Sequence, residues 1–367
     1  MHKTNRLLLV TSEFPPQPGG IGIHAYHLAK HLEQEGFQVK VITDQRSQSG
    51  QEEADFDASL KFQVQRVVIR KLRVLMYFKR LQLLFKHVKS SDILIASGKF
   101  SLWSVAFVSL FYRKSYFAVI HGSEVNLKKT LLKSAINISL NRFSKLIAVS
   151  HYTKDLVSKE HSDIVLIPNG IDIASLENSI PITKTLEGYP RLLTVGNVTQ
   201  RKGQLNVIKQ LPDLLEVYPN LHYHCVGLPT EAEAFMEVAE SLHVAHHVTF
   251  HGRVPNETLY DFLRLSDIFV MLSHETTEGD VEGFGIAILE ANFFGLPAIG
   301  SLGCGIEDAI DDFQSGRLIK NYDSLMFEKS IKDILSRPGH YKDGAKIWAQ
   351  QHDWKLIVKH YIAVINK

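Results

Sequence analysis

Apolar and polar positions run along this chain in alternating blocks. Short unbroken apolar runs such as Leu7-Leu8-Leu9-Val10 are bounded by turn residues and read as strands buried on both faces. Between the runs, apolar residues recur at helical spacing; residues 23–36 carry such a pattern and end at Gly36. Strands are predicted at 7–11, 39–43, 93–96, 117–120 and 146–149, and again at 192–195, 222–226, 248–250, 268–272 and 297–300. Alternation of this kind predicts an α/β class with parallel sheets covered by helices. The pattern restarts near Arg191. Residues 178–190 hold Pro181, Gly188 and Pro190 without strong periodicity and read as a linker. Two Rossmann-like domains joined there, residues 1–180 and 181–345, face a central cleft between the carboxyl ends of both sheets. Open α/β sheets bind ligands at such edges. Residues 45–59 are polar-rich and read as a loop.

Composition agrees with two globular domains: 367 residues, 45% hydrophobic and 22% charged. It excludes disordered, collagenous and disulfide-scaffold classes. Cys225 and Cys304 lie far apart and outside any C-x-x-C pair, so two buried thiols in a reducing compartment are expected. The first apolar run is too short for a secretory signal and is followed at once by Glu13, Pro15 and Pro16. Residues 102–112 fall short of the roughly 20 apolar residues a membrane span needs and read as a buried helix.

The net charge of +2 conceals a split. Residues 1–180 hold 24 Lys and Arg against 15 Asp and Glu, a balance of +9; the remainder holds 41 − 24 = 17 against 39 − 15 = 24, a balance of −7. The basic half is expected to face something anionic. Its basic residues concentrate in residues 66–89, where Arg66, Arg70, Lys71, Arg73, Lys79, Arg80, Lys86 and Lys89 are interleaved with Leu, Val, Phe, Met and Tyr and no acid occurs. This pattern suits an anionic membrane surface. A solvated helix face is the plainer reading, and nucleic acid a third, for which no motif is present.

Four segments carry candidate chemistry. Gly19-Gly20-Ile21-Gly22 follows the first strand through a Pro-rich loop and precedes a helix. Glycines there either let a phosphate approach free N–H groups or simply make a tight turn. His121, at the end of a buried strand and followed by Gly122, is placed at a cleft edge as a ligand contact or as a satisfied loop histidine. Gly196-Asn197-Val198-Thr199-Gln200-Arg201-Lys202-Gly203 follows the first strand of the second half. Its two cations suit a diphosphate, or are solvated. Asp280-Val281-Glu282-Gly283-Phe284-Gly285-Ile286 leads into a helix predicted to begin near Gly283. Glu282 and Glu290, eight apart, would stand roughly 12 Å apart along that helix. Helix-start N–H groups at Gly283, Phe284, Gly285 and Ile286 suit phosphate oxygens, and two carboxylates at that separation suit the hexose and ribose ends of a nucleotide sugar. An N-terminal Glu offsetting the helix dipole is the alternative. Asp55-Phe56-Asp57 forms a D-x-D string, but in an acidic polar loop. His24, His27 and His31, and His222 and His224, match no zinc pattern, and no metal site is expected.

These residues together resemble the retaining glycosyltransferases of the GT-B fold, the fourth glycosyltransferase family, over essentially the whole chain. The resemblance is carried in order by Gly19-Gly20, His121-Gly122-Ser123-Glu124, Ile147-Ala148-Val149-Ser150, Ile167-Pro168-Asn169-Gly170-Ile171-Asp172, Arg201-Lys202-Gly203, His251-Gly252-Arg253-Val254 and the Glu282/Glu290 pair. It implies an acceptor-side first domain and a second domain that binds a nucleoside diphosphate sugar. Residues 346–367, with Trp354-Lys355 to Tyr361, would form the last helix and cross back to the first domain. By the resemblance, Lys202 and Arg201 meet the diphosphate, Glu282 the transferred hexose and Glu290 the ribose. The backbone around Val254 meets the base, Gly20 a phosphate, and His121 sits beside the sugar. Asn197 stands where the family often has a second diphosphate cation, an arginine.

The resulting expectation is a metal-independent hexosyltransferase without a bound cofactor. It would use GDP-mannose or a UDP-hexose and a lipid-linked or growing glycan acceptor in polysaccharide or glycolipid synthesis. It would be cytoplasmic and peripheral on the inner face of the plasma membrane, with no nucleic-acid partner. The run Glu278-Gly279-Asp280-Val281-Glu282-Gly283-Phe284-Gly285 resembles the version in mannosyl-lipid transferases. A GT-B nucleotide-sugar epimerase and a non-catalytic nucleotide-sugar-binding subunit are the rivals.

Overall fold

A computed structural model describes residues 5–17, 19–70, 72–177, 185–320 and 323–367. The chain divides into two compact units, Met1–Asn169 with Trp354–Lys367, and Gly170–Asp353.

The first unit holds β1 (Arg6–Thr11), β2 (Gln38–Asp44), β3 (Gln63–Val67), β4 (Ile93–Ser97), β5 (Ser115–Ile120), β6 (Lys145–Ala148) and β7 (Ile164–Leu166). They form one sheet in the order β3-β2-β1-β4-β5-β6-β7. Pairing is parallel, with Leu9 opposite Val41 on one side and Ile95 on the other. Leu7, Leu8, Leu9 and Val10 are all buried, as expected for a central strand covered on both faces.

The second unit repeats the plan with β8 (Arg191–Val195), β9 (His222–Val226), β10 (Val248–Phe250), β11 (Ile268–Met271), β12 (Ala298–Ser301) and β13 (Gly316–Ile319). Their order is β10-β9-β8-β11-β12-β13. Each sheet therefore reverses direction once, between β1 and β4 and between β8 and β11. Those reversals are the switch points where α/β sheets open a crevice at the strand ends. The core of each unit is built by its own strands and covering helices, Leu8, Val10 and Leu94 in one, Leu192, Val270 and Ile299 in the other.

Several expectations need correction. The predicted boundary at 180/181, like most of the linker 178–190, lies outside the described residues. The compact units divide at 169/170, and the helix Ile173–Glu177 belongs to the second unit. The returning segment begins at Trp354 and not at residue 346. Residues up to Gln351 complete the helix Pro338–Gln351, which belongs to the second unit. The end of the linker is tied to the second unit, where Tyr189 N–H donates to the Asn220 carbonyl at 2.7 Å. Residues 45–59 are not simply a loop, because Gln51–Ala58 is helical. Asp57 of the D-x-D string is committed to Arg66 by two bonds of 2.8 Å, and Asp55 accepts from Gln51.

His24, His27 and His31 face the returning helix Trp354–Ile365. The His27 and His31 rings stack on Trp354 at 5.9 Å, and His24 Nε2 lies 2.9 Å from the Tyr361 hydroxyl. Their helical spacing is a packing face. His222 and His224 are likewise buried, stacked at 4.6 Å on β9. Both cysteines are buried and free. Among the described residues no helix is long and apolar enough to cross a membrane.

Candidate active site

In the second unit, the loops after β8 and β11 meet at the switch point. After β8 the chain passes Gly196 and Asn197, makes a short 3-10 turn at Gln200–Lys202 and enters the left-handed region at Gly203, φ 81°. A Cβ on Gly203 would stand 2.0 Å from the Leu272 carbonyl oxygen, so only glycine allows this approach to the end of β11. Ser273 Oγ, from the β11 loop, donates to the Arg201 carbonyl. These contacts fix Arg201 and Lys202 beside the loop that carries Asp280 and Glu282.

The side chains there are already paired. Lys202 Nζ lies 2.7 Å from Glu282 Oε2, Arg201 Nη1 binds the same oxygen, and Arg201 Nε reaches Asp280 at 3.1 Å. Burial alone would raise the Glu282 pKa; Lys202 and Arg201 override it and hold the group down to about 2. Glu282 is thus an ionised acceptor clamped by two cations. Two positive and two negative groups leave the cluster formally neutral. Asp280 is a member that spacing alone did not single out; its place in the same short acidic run was the available signal.

The helix expected near Gly283 begins at Ile286, after Gly285 turns through φ 94°. Glu282 therefore precedes the helix Ile286–Phe293, and the 12 Å helical separation from Glu290 does not apply. Gly283 and Phe284 also lie outside it. The Gly283 carbonyl packs against Gly305, whose added Cβ would come within 2.0 Å of that oxygen, and Gly305 N–H donates to the Glu282 carbonyl at 3.0 Å. Phe284 is buried, with its ring 6.1 Å from His352. Ile286 opens the helix, where the first N–H groups have no intrahelical acceptor. Asn197 is exposed, and Val254 is half-buried in the loop after β10, at the same sheet edge.

Glu290 sits within the helix, half-buried. Burial pushes its pKa up to about 7, with Lys202 pulling the other way. The folded chain then keeps a proton that the unfolded chain releases above the ordinary 4.5. The resulting stability is full below that value and is lost as pH rises through about 7. Glu290→Gln cannot ionise and removes the loss. Scanning calorimetry should show its melting temperature falling less than that of the wild type between about pH 5 and about pH 8. Equal slopes would contradict the assignment.

In the first unit, Gly19 caps the helix Gly20–Gln34 after β1, and His121 follows β5. A Cβ on Gly19 would stand 2.2 Å from Glu13 Oε2, so the loop is closed against that carboxylate. Among the described residues, nothing beyond Gly20's own chain neighbours and helix backbone lies within 4 Å of the position a Gly20 Cβ would take. His121 Nε2 is 2.9 Å from Ser97 Oγ at the end of β4, and its ring stands 4.9 Å from that of His24. Burial lowers the His121 pKa to about 4, so the ring is neutral at ordinary pH. Glu124 accepts from the His121 N–H at 2.5 Å and pins the loop; burial pushes its pKa up to about 7. Glu124 is a supporting residue whose role the motif alone did not reveal. Gly19, Gly20 and His121 thus share the first unit, and the other predicted site residues share the second.

Comparisons with known proteins point the same way. The family model described as glycosyl transferases group 1 matches residues 177–351, and that of glycosyltransferase family 4 matches residues 18–175. A GDP-mannose-dependent alpha-(1-6)-phosphatidylinositol monomannoside mannosyltransferase of Mycolicibacterium smegmatis is 30% identical over 150 residues, 41% of this chain and 39% of that protein. A GDP-mannose-dependent monoacylated alpha-(1-6)-phosphatidylinositol monomannoside mannosyltransferase of Corynebacterium glutamicum is 22% identical across 92% of this chain and 91% of its own length. Among solved structures, sucrose-phosphate synthase from Thermosynechococcus elongatus superposes with a TM-score of 0.79 at 16% identity, covering 99% of this chain and 98% of that one. Anabaena Alr3699/HepE, in complex with UDP and glucose, gives 0.76 at 17% identity, with 99% of each chain covered. At these identities the structures establish the shared fold.

Proposed function

This chain belongs to the group 1 glycosyltransferases and has their GT-B fold, and from that premise we propose that it transfers a hexose from a nucleoside diphosphate sugar to a lipid-linked acceptor, with retention of configuration. The observation that carries the reading is the cluster of Arg201, Lys202 and Glu282 at the switch point of the second sheet, beside the start of the helix Ile286–Phe293. GDP-mannose is the proposed donor, supported by the names of the relatives, which are GDP-mannose-dependent mannosyltransferases acting on phosphatidylinositol mannosides.

Chemistry follows from charge. Breaking the sugar–phosphate bond builds negative charge on the leaving diphosphate. Arg201, Lys202 and the helix-start N–H groups supply fixed positive potential there, so no metal is assigned to the step. As the diphosphate draws the two cations, Glu282 is released to accept hydrogen bonds from hexose hydroxyls, and Glu290 takes the ribose diol. The acceptor hydroxyl attacks the anomeric carbon on the face the diphosphate leaves, and its proton passes to a phosphate oxygen of that leaving group. The backbone near Val254 meets the base, and His121 and Gly20 keep the roles that the family resemblance implies for them.

The test is transfer itself. Labelled GDP-mannose or a UDP-hexose is incubated with the protein and a membrane lipid extract. An organic-soluble product with the donor's anomeric configuration supports the reading. Donor isomerised without acceptor, or donor bound without turnover, contradicts it.

An anionic membrane surface is the proposed partner, at the inner face of the plasma membrane, through residues 66–89. The structure reshapes that patch. Arg80 and Arg66 are not available to lipid, because both are inward in ion pairs with Asp44 and Asp57. Lys71 lies outside the described residues. Arg70, Lys79, Lys86 and Lys89 are exposed, and so are the apolar Val68, Leu72, Val74, Leu75 and Phe78. At about 1 kcal/mol per surface cation, the double reversal Arg70→Glu, Lys79→Glu should lower affinity for anionic vesicles on the order of tenfold or more in co-sedimentation. Unchanged binding would remove the membrane from the account.

A further inference from the structure

Ser97 is the last residue of β4 and is fully buried. It pairs with Thr11 of β1 on one side and Val119 of β5 on the other, so it lies mid-sheet at the carboxyl edge of the first unit. Partners in a parallel ladder share a face, and residues two apart along a strand share it too. His121, two residues after Val119, follows onto the face that Ser97 occupies. The two side chains meet there, with Ser97 Oγ 2.9 Å from His121 Nε2.

His121 is held from two further directions. Its backbone N–H donates to Glu124 Oε1. The His24 ring stands 4.9 Å away at 78°, edge to face. His24 is itself fixed: it is fully buried, its Nε2 lies 2.9 Å from the Tyr361 hydroxyl, and its ring stands 5.2 Å from that of Trp354. The His121 imidazole therefore keeps one orientation, with Nε2 on Ser97 and Nδ1 left over. Among the described residues no hydrogen-bond partner is found for Nδ1, and the residue keeps 8% of its surface open.

Counting protons assigns the hydrogen to one nitrogen. Burial holds the His121 pKa down to about 4, so the ring is neutral and has a single N–H. The Ser97 hydroxyl has one proton to place and no access to water; among the described residues its one partner is His121 Nε2. A hydrogen on Nε2 would point at the serine oxygen and leave the buried O–H without an acceptor, which is costly. A hydrogen on Nδ1 lets the hydroxyl donate to the Nε2 lone pair, and the buried pair is satisfied. The N–H then sits on the nitrogen that no protein group claims.

We propose that Ser97 is a positioning residue that fixes His121 with its hydrogen on Nδ1, so that the ring meets its ligand as a neutral hydrogen-bond donor. The inference rests on the transferase reading above, in which His121 has the place beside the sugar that the family resemblance implies, and it deepens that reading. The group recognised is an acceptor oxygen of the sugar. The one lone pair of the ring is occupied by Ser97, so His121 takes no proton from the acceptor hydroxyl.

The experiment is nitrogen-15 NMR of the full chain labelled at its histidine side chains. The ring signals absent from His121→Gln belong to His121. The wild type should carry its hydrogen on Nδ1 with Nε2 bare. Ser97→Ala should let the hydrogen populate Nε2 as well, and Ser97→Thr, which keeps the hydroxyl, should restore the wild-type pattern. In transfer from GDP-mannose, Ser97→Ala should lower kcat/KM about threefold to tenfold. It should leave the affinity for free GDP, which has no sugar, unchanged, and Ser97→Thr should recover most of the rate. Circular dichroism and GDP affinity verify that each variant is folded, and the wild-type spectrum decides even where a variant is not. A hydrogen on Nε2 in the wild type would overturn the inference. So would wild-type kcat/KM in Ser97→Ala, or an equal loss of GDP affinity. Failure of the transferase reading looks different: the wild type would neither bind GDP nor transfer a hexose, and a hydrogen found on Nδ1 would lose the sugar as its ligand.

Discussion

Glu282→Ala should lose transfer by on the order of 10²- to 10³-fold, the range for removing one contact made to developing charge or to the reacting sugar, yet bind nucleoside diphosphate more tightly. The second half of that expectation comes from the structure. Lys202 and Arg201 both hold Glu282 Oε2. A diphosphate must draw them away before it gains their charge. Deleting the carboxylate removes the competitor. At about 1 kcal/mol or somewhat more for a charged hydrogen bond, the gain is about threefold to tenfold in Kd. The Glu282 carbonyl, which accepts from Gly305, is untouched by the substitution, so the loop should keep its path. Steady-state transfer and calorimetry with the free nucleoside diphosphate separate the two effects. Near-normal turnover, or weaker diphosphate binding, would contradict the exchange of partners.

Lys202→Ala should have the opposite signature. Removing a partly buried cation from the proposed diphosphate site should weaken nucleoside diphosphate binding by on the order of 10- to 100-fold. It should also loosen Glu282, because Lys202 is the larger of the two attractions that hold this carboxylate at about 2. Glu290 would rise further above its ordinary value, since Lys202 is the charge pulling it down. One substitution thus moves three groups in stated directions. Titration calorimetry reads the first, and the pH dependence of the melting temperature reads the last. A variant that bound diphosphate like the wild type would leave Lys202 as a structural partner of Glu282 alone.

Much of this arrangement was legible in the sequence, for physical reasons. The apolar run Leu7–Val10 and the pair Leu192 and Leu193 are buried, so composition alone marks their segments as central strands. The edge strands β3, β7 and β13 were missed, because a half-exposed strand such as Gln63–Val67 carries too few apolar residues to stand out. The helix Ile286–Phe293 begins three residues after Gly283, where its start was expected. Glycine marks a turn, but the turn here runs through Gly285 before the first helical residue. The basic stretch 66–89 stands out by composition, but it is not one surface, because Arg66 and Arg80 turn inward in ion pairs. Sequence spacing does not reveal that Asp44 and Asp57, distant along the chain, claim Arg80 and Arg66. The same limit hid the pairing of Glu282 with Lys202 and with Arg201, the latter 81 residues away along the chain. Short-range patterns recover elements; the contacts that set charge are long-range.

The central claim is that the second unit binds a nucleoside diphosphate sugar through Lys202 and Arg201. The most direct measurement is titration calorimetry of the purified chain against GDP, UDP and ADP and their hexose conjugates, with Lys202→Ala measured alongside. The account predicts saturable binding of GDP and GDP-mannose, weakened in the variant. Absence of binding by any of these nucleotides to the wild type would contradict it and would leave the chain without the donor its site was assigned to hold.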